Sequence, residues 1–266
     1  MIRVAVAGAT GRMGKTLIQA ISESDGLTLT AGFEHADHPK LGEDLGVLCG
    51  LGPLDVALSS DPQSQANDFD VVIDFTIPSA TLALARVCSE KGNAMVVGTT
   101  GFDDQQTNAL EGYSRKTAIF VSPNMSVGVS LSMKLIEIAA KALGDGFDVE
   151  VIEAHHKHKI DAPSGTAVRI GEVLATALNR SLASDAVYHR QGITGARNPK
   201  AIGFSTIRGG DIVGEHTVLF AGEGERLEIT HRATSRNNFA QGALRAVALV
   251  ANAAPGWYDM DNLLDI

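Results

Sequence analysis

An apolar run, Ile2-Arg3-Val4-Ala5-Val6-Ala7, ends on Gly8-Ala9-Thr10-Gly11-Arg12-Met13-Gly14, and an amphipathic stretch follows at once. Three glycines in seven residues permit a very tight turn. The run before them therefore reads as a strand, and Met13–Ile21 as the helix that the turn opens. A strand feeding a helix this way begins a doubly wound α/β sheet. Backbone N–H groups at the positive end of such a helix suit a pyrophosphate. The spacing is GxxGxxG and not GxGxxG, so the turn alone leaves open a ligand-free structural bend. Glu34 favours the ligand. It stands 20 residues past Gly14, at the end of the second strand candidate Leu27–Phe33, where an acid accepts from an adenosine ribose.

Gly8, Ala9, Thr10, Gly11, Arg12, Met13, Glu34 and His35 are thus candidate cofactor-binding residues for a nicotinamide dinucleotide. The Glu34 carboxylate repels a phosphorylated ribose and favours NADH, whereas Arg12 in the turn and His35 beside Glu34 counter that repulsion. The expectation is use of both NADH and NADPH.

Strand candidates alternate with helical patterns through the first half: Val71–Phe75, Ala94–Val97 and Ala118–Val121, with helices near Ser79–Ser89 and Asp104–Ser114. That alternation predicts a parallel, Rossmann-like sheet over residues 1–125. After Asn124 the texture changes. A helix near Val129–Leu143 leads to a long strand, Phe147–Glu153, and another helix follows Ser164. Strand candidates Ala201–Arg208, Gly214–Ala221 and Arg226–His231 come next with short turns, predicting a second α+β domain with a mixed sheet over 126–236. A last helix, about Asn237–Asn252, returns to either domain on this reading; we take 237–266 as packing back on the first.

Composition narrows the partners. A formal net charge of −9 argues against nucleic acid or an anionic membrane surface. No apolar run approaches the roughly 18–20 residues that span a bilayer. The N-terminus shows no signal-peptide anatomy, and the two cysteines, Cys49 and Cys88, are far apart and outside any CxxC spacing. A cytoplasmic, reducing environment is expected. An acidic protein that binds an anionic metabolite must gather positive charge locally.

It does so between Glu153 and Ala167. His155-His156-Lys157-His158-Lys159 places three of the eight histidines and two lysines in five positions. Ser164 reads as an N-cap, and Gly165 and Thr166 open a helix whose positive end seats a carboxylate. A solvated charged loop, a zinc site on His155, His156 and His158, and a Ser164 nucleophile compete. Lysines repel a dication, no cysteine lies near, and no G-x-S-x-G elbow surrounds Ser164, so no metal is expected. A site that binds a dianion and donates a proton accounts best for this composition. Both proton-carrying side chains are expected to face solvent-filled space. Arg236, just before the last helix, is a further candidate partner for a substrate carboxylate.

The fifteen residues Glu153–Ala167 resemble the signature of the 4-hydroxy-tetrahydrodipicolinate reductase (dihydrodipicolinate reductase) family. Gly8–Gly14, Val97-Gly98-Thr99-Thr100-Gly101 and Ser122-Pro123-Asn124-Met125-Ser126-Val127-Gly128 resemble its other landmarks in order, so the similarity spans essentially the whole chain. The resemblance implies a Rossmann cofactor domain, a mixed-sheet substrate domain and a homotetramer assembled through the latter. It implies His155 as catalytic proton donor and acceptor and Lys159 as proton donor. By the same resemblance His156, Gly165 and Thr166 contact substrate, while Gly98, Thr99, Thr100, Ser122, Pro123, Asn124 and Met125 line the nicotinamide side. The implied reaction is NAD(P)H-dependent reduction of a small cyclic dicarboxylate with loss of its hydroxyl as water, on the diaminopimelate route to lysine. One departure stands out: many relatives carry arginine where this chain has His35. Two rival readings are an oxidoreductase for another anionic carbonyl or imine, and a silent nucleotide sensor. A sensor has no use for His155 and Lys159 together.

Overall fold

Short apolar runs bounded by polar turns become the buried strands of a parallel sheet. The structure, a computed structural model, describes residues 1–265. Its contacts divide the chain into two units: Met1–Val127 together with the chain from Arg236 onward, and Gly128–Ser235.

The first unit carries β1 (Ile2–Ala7), β2 (Leu27–Phe33), β3 (Leu58–Ser59), β4 (Val71–Asp74), β5 (Ala94–Val97) and β6 (Ala118–Val121). The chain's last strand, β12 (Gly256–Tyr258), joins them, giving the order β12-β6-β5-β4-β1-β2-β3. Every pairing is parallel. Strands β1 to β3 step outward one way and β4 to β6 the other. The order therefore reverses between β1 and β4, where a doubly wound sheet opens its ligand crevice at the carboxyl ends.

Side chains alternate across each strand, and both faces are buried. One face packs Val4, Val6, Ile73, Val96 and Phe120 against Leu17 and Ile18 of α1 (Arg12–Ser22) and Ala243 and Val247 of α8 (Asn237–Val250). The other packs Ala5, Val72, Met95 and Ile119 against Leu84 and Cys88 of α3 (Pro78–Lys91) and Leu110 of α4 (Asp104–Ser114). A Cβ at Gly242 would lie 1.7 Å from the Met125 carbonyl oxygen, so α8 lies directly on that backbone.

The second unit holds α5 (Val127–Leu143, its first residue at the boundary), β7 (Asp148–His155), α6 (Gly165–Ala177), α7 (Leu182–Asp185), β8 (Ala186–Val187), β9 (Ile202–Arg208), β10 (Gly214–Ala221) and β11 (Arg226–Ala233). Its sheet runs β11-β10-β7-β9-β8 and is mixed: β10 is antiparallel to β7 and β11, while β9 is parallel to β7 and β8. Ile170 and Leu174 of α6 and Ile136 of α5 close its core over Val149, Val151, Phe204 and Phe220.

Two differences from the sequence reading matter. Strand β7 continues through Ala154 to His155, because its ladder with β9 pairs His155 with Arg208. His155 is therefore a strand residue and not a loop residue. The short elements α2 (Leu45–Cys49), β3, α7, β8, β12 and α9 (Met260–Leu264) run two to five residues each, too brief for either hydrophobic period to register.

Candidate active site

In the first unit, the sequence-selected cofactor residues lie just past the carboxyl ends of β1, β2, β5 and β6. Gly8 adopts φ +66°, a conformation that favours glycine, and a Cβ at Gly14 would sit 2.2 Å from the Gly8 carbonyl oxygen. Both glycines are required by the turn itself. Gly11, the N-cap of α1, makes no side-chain cap hydrogen bond. That is the cradle a pyrophosphate needs.

Glu34 follows β2 and accepts from the Thr10 N–H at 3.1 Å and the Thr10 hydroxyl at 2.6 Å. It opens onto a cavity of about 620 Å³ that Gly8, Phe33, His35, Thr76, Ile77 and Arg86 also line. The cavity's size and mostly apolar lining beside the Glu34 carboxylate could hold an adenosine.

Several selected residues serve the core with their side chains. Ala9 and Met125 are buried in the first-unit core, and Met13 packs against it. Thr99 is buried too: its hydroxyl accepts from the Thr76 N–H and meets the Thr81 hydroxyl, each at 3.0 Å. The side chains of Ala9, Thr99 and Met125 are therefore turned into the core, which leaves their backbone as the group open to a ligand. Arg12, Thr100 and Pro123 are exposed. The Ser122 hydroxyl is turned onto the Asn124 carbonyl at 2.8 Å, and Gly98 donates its N–H to the Asp74 carbonyl at 2.8 Å. A Cβ at Gly98 would collide with the Phe75 ring at 2.2 Å.

In the second unit, β7 delivers His155 and the loop after it carries His156 to Pro163. Alternation puts Val149, Val151, Glu153 and His155 on one face of the strand. Glu153 and His155 are consequently neighbours, and His155 Nδ1 lies 2.6 Å from Glu153 Oε2. The ladder adds the rest. His216 of β10 stands opposite Glu153, and Arg208 of β9 stands beside His155 and reaches back diagonally. Its guanidinium forks onto the carboxylate, with both contacts at 2.8 Å.

His155 and Lys159, expected to face solvent-filled space, are largely covered, their side chains 12% and 20% exposed. Lys159 Nζ pairs with Asp161 Oδ1 at 2.8 Å, and that bond holds the Asp161 carboxyl below its usual range. His156 is half-buried, with Nδ1 unpartnered among the described residues, and its ring lies 6.3 Å from that of His158. Ser164 caps α6, its hydroxyl accepting the Ala167 N–H at 3.1 Å. A Cβ at Gly165 would meet nothing within 4 Å, so the space over the helix start is open. Arg236 sits at the N-cap of α8 and is exposed, in the first unit and not the second.

Electrostatics set the protonation states. Burial works to raise the Glu153 carboxyl, but Arg208, His155 and the Ser164 N–H donate to it and hold it down at about 2. Burial, aided by the neighbouring His155, pushes His216 down to about 4, and its Nε2 sits 3.0 Å from the Ser164 hydroxyl. Among the described residues no group of three His, Cys, Asp or Glu side chains could hold a metal ion. Glu153, Arg208 and His216 had no role in the sequence reading. The spacing of Glu153 and His155 on one strand was a signal available there; the other two needed the sheet register.

A parallel sheet of Rossmann order with a glycine cradle, joined to a mixed-sheet unit bearing a histidine–lysine loop over an open helix start, defines a nucleotide-dependent class of two-unit enzymes. Models of the dihydrodipicolinate reductase N-terminus and C-terminus match residues 2–125 and 128–264. The chain is 53% identical to a 4-hydroxy-tetrahydrodipicolinate reductase of Syntrophotalea carbinolica, covering 100% of both chains. It is 52% identical to the enzyme of that name from Chromohalobacter salexigens, over 100% of this chain and 99% of that one. The structure is similar to a dipicolinate-bound dihydrodipicolinate reductase from Paenisporosarcina sp. TG-14, with TM-score 0.79, 26% identity and 98% coverage of each chain. An amine dehydrogenase from Mycobacterium smegmatis, 15% identical with TM-score 0.61 over 98% and 95% of the two chains, shares the fold. This chain belongs to the dihydrodipicolinate reductase family.

Proposed function

We propose that this chain reduces 4-hydroxy-tetrahydrodipicolinate to tetrahydrodipicolinate with NADH or NADPH, releasing water. The observation that carries the reading is the segment from β7 to α6. It joins a histidine held by a carboxylate, a charged lysine and an open helix start, and it lies in a chain 53% identical over its length to a reductase of that name. Two ring carboxylates explain why an acidic protein gathers so much positive charge in one loop.

The bound nicotinamide supplies the hydride; the chain's own groups bind, orient and manage protons. Gly8 to Met13 and the start of α1 hold the pyrophosphate, and Glu34, set by Thr10, receives the ribose hydroxyls. Gly98 to Thr100 and Ser122 to Met125 line the nicotinamide side. Gly165 and Thr166 present the first N–H groups of α6 to one substrate carboxylate, and His156 flanks the ring. Lys159 donates the proton with which the hydroxyl leaves as water, and His155 exchanges a proton through Nε2, since Nδ1 faces Glu153. Arg236, at the N-cap of α8, is assigned to a substrate carboxylate.

We extend the proposal to a homotetramer formed by the second unit. Leu131, Leu135 and Ile138 make an exposed apolar stripe on α5, 42%, 45% and 64% accessible at helical spacing, which a second copy would cover. A cytoplasmic setting fits two free cysteines and, among the described residues, no helix long and apolar enough to cross a membrane.

The deciding experiment follows nicotinamide absorbance while the cyclic substrate is generated in situ, with NADH and NADPH in parallel. Oxidation of either cofactor that depends on that substrate is expected; its absence with both overturns the reading. Light scattering at micromolar concentration should give four chains per particle, and a stable monomer would contradict the assembly.

A further inference from the structure

Glu153 is ionised, 1% exposed and surrounded by donors. Oε2 takes His155 Nδ1 at 2.6 Å and Arg208 Nη1 at 2.8 Å; Oε1 takes Arg208 Nη2 at 2.8 Å and the Ser164 N–H at 3.0 Å. A buried ion pair of this kind is weak support for stability, because apolar replacements often do as well. Its place is more informative. Glu153 and His155 share one face of β7, Arg208 reaches across from β9, and Gly214 of β10 lies on the other side of the imidazole. A Cβ at Gly214 would press on His155 Nε2 at 3.1 Å, so the glycine leaves room at that nitrogen and not at Nδ1.

We propose that Glu153, clamped by Arg208, is the positioning residue that fixes the His155 imidazole with Nδ1–H on the carboxylate and Nε2 as the atom that exchanges the substrate proton. The inference rests on the reading of His155 as proton donor and acceptor. A carboxylate that stays charged requires Nδ1 to carry hydrogen in both states of the ring, so every proton gained or lost is on Nε2. Glu153 on its own strand is hydrogen-bonded to the ring, and Arg208 of β9 is the partner of His155 in the ladder. His216, on β10, packs edge-on at 5.2 Å between ring centroids.

Glu153→Gln supplies the test. The amide oxygen keeps the Ser164 contact while its NH2 group turns toward Nδ1 and donates, which inverts the tautomer. Nitrogen-15 spectra of histidine-labelled protein should show neutral His155 as Nδ1–H in the parent and Nε2–H in the variant. The His155→Asn protein identifies the signal. We expect kcat to fall about 10²–10⁴-fold with KM within roughly threefold, since the substrate contacts are untouched. A parent that carries hydrogen on Nε2, or a folded variant with kcat within about threefold of the parent, overturns the proposal. If Glu153→Gln does not fold, Arg208→Gln decides, its side chain being 20% exposed. A roughly tenfold loss in kcat at unchanged KM supports the clamp, and unchanged kcat overturns it. Spectra need no substrate, so a parent without turnover sinks the reductase reading while the tautomer stands or falls separately.

Discussion

Glu34 receives both donors that Thr10 owns, its backbone N–H at 3.1 Å and its hydroxyl at 2.6 Å. The carboxylate proposed to receive the ribose is thereby tied to the glycine turn proposed to hold the pyrophosphate. The same hydroxyl lies 3.2 Å from His38 Nε2, and the His35 and His38 rings meet edge-to-face at 5.3 Å. If this acid receives the ribose, the two imidazoles beside it would temper its preference for a hydroxyl over a phosphate. Calorimetric dissociation constants for NADH and NADPH should lie within about tenfold, or 1.4 kcal/mol. Glu34→Gln removes the repulsion and should shift the ratio toward NADPH by about tenfold. A parent preference on the order of a thousandfold in either direction would end this account.

Lys159→Ala and His155→Ala should each lower kcat by about 10²–10⁴-fold with the fold intact. Lys159 leaves behind only Asp161, which is 56% exposed and free to hydrate. His155 leaves Glu153 with Arg208 and Ser164 as donors. Unchanged kcat in either variant, with normal circular dichroism, would falsify the assigned role.

Much of this was legible in the chain itself. The longer first-half strands show because each is a mostly apolar run between polar turns, and the glycine turn shows because its conformation favours glycine. Asp104–Ser114 is read to the residue; its start carries a capping box between Asp103 and Gln106 that local sequence can specify. Sheet pairing was not legible. Arg208 and His216 lie 55 and 63 residues beyond Glu153 in the chain, and only the β7, β9 and β10 registers bring them to it. The same limit explains Thr99 and Met125. Motif matching selected them for a ligand, but their side chains serve the core, which burial reveals and sequence does not.

His216 should mark an acid limit of stability. Burial drives its folded value from 6.5 down to about 4. Between those values the unfolded chain binds a proton that the folded protein refuses, so stability falls as pH drops through the window and recovers as it rises. The gap amounts to at most roughly 3–4 kcal/mol. His216→Gln cannot titrate, so urea unfolding at pH about 6.5 and about 4 should show a smaller acid loss than in the parent. Equal losses would place the acid sensitivity elsewhere.

The start of α6 gives the sharpest test of the substrate seat. Ser164 spends its hydroxyl on the Ala167 N–H, and Gly165 and Thr166 follow it as the first residues of the helix, where the proposal seats a carboxylate. On the proposed seat, a dicarboxylate would engage both this helix end and the His156–Lys159 side of the loop, and a monocarboxylate only one of them. Dipicolinate should therefore compete with substrate and picolinate much more weakly. One lost charge-assisted contact is worth about 1.5–3 kcal/mol, so the two inhibition constants should differ by more than about tenfold. Gly165→Ala separates ligand from fold. The added Cβ meets nothing of the chain within 4 Å, and alanine is the better helix former, so the protein should fold and melt as the parent does or slightly higher. The methyl group would intrude only on an anion approaching the helix end. Parent-like stability with dipicolinate affinity reduced by about tenfold or more places the carboxylate there. If mono- and dicarboxylates inhibit equally, or Gly165→Ala binds dipicolinate as the parent does, the carboxylate is held elsewhere and the role given to Gly165 and Thr166 is lost.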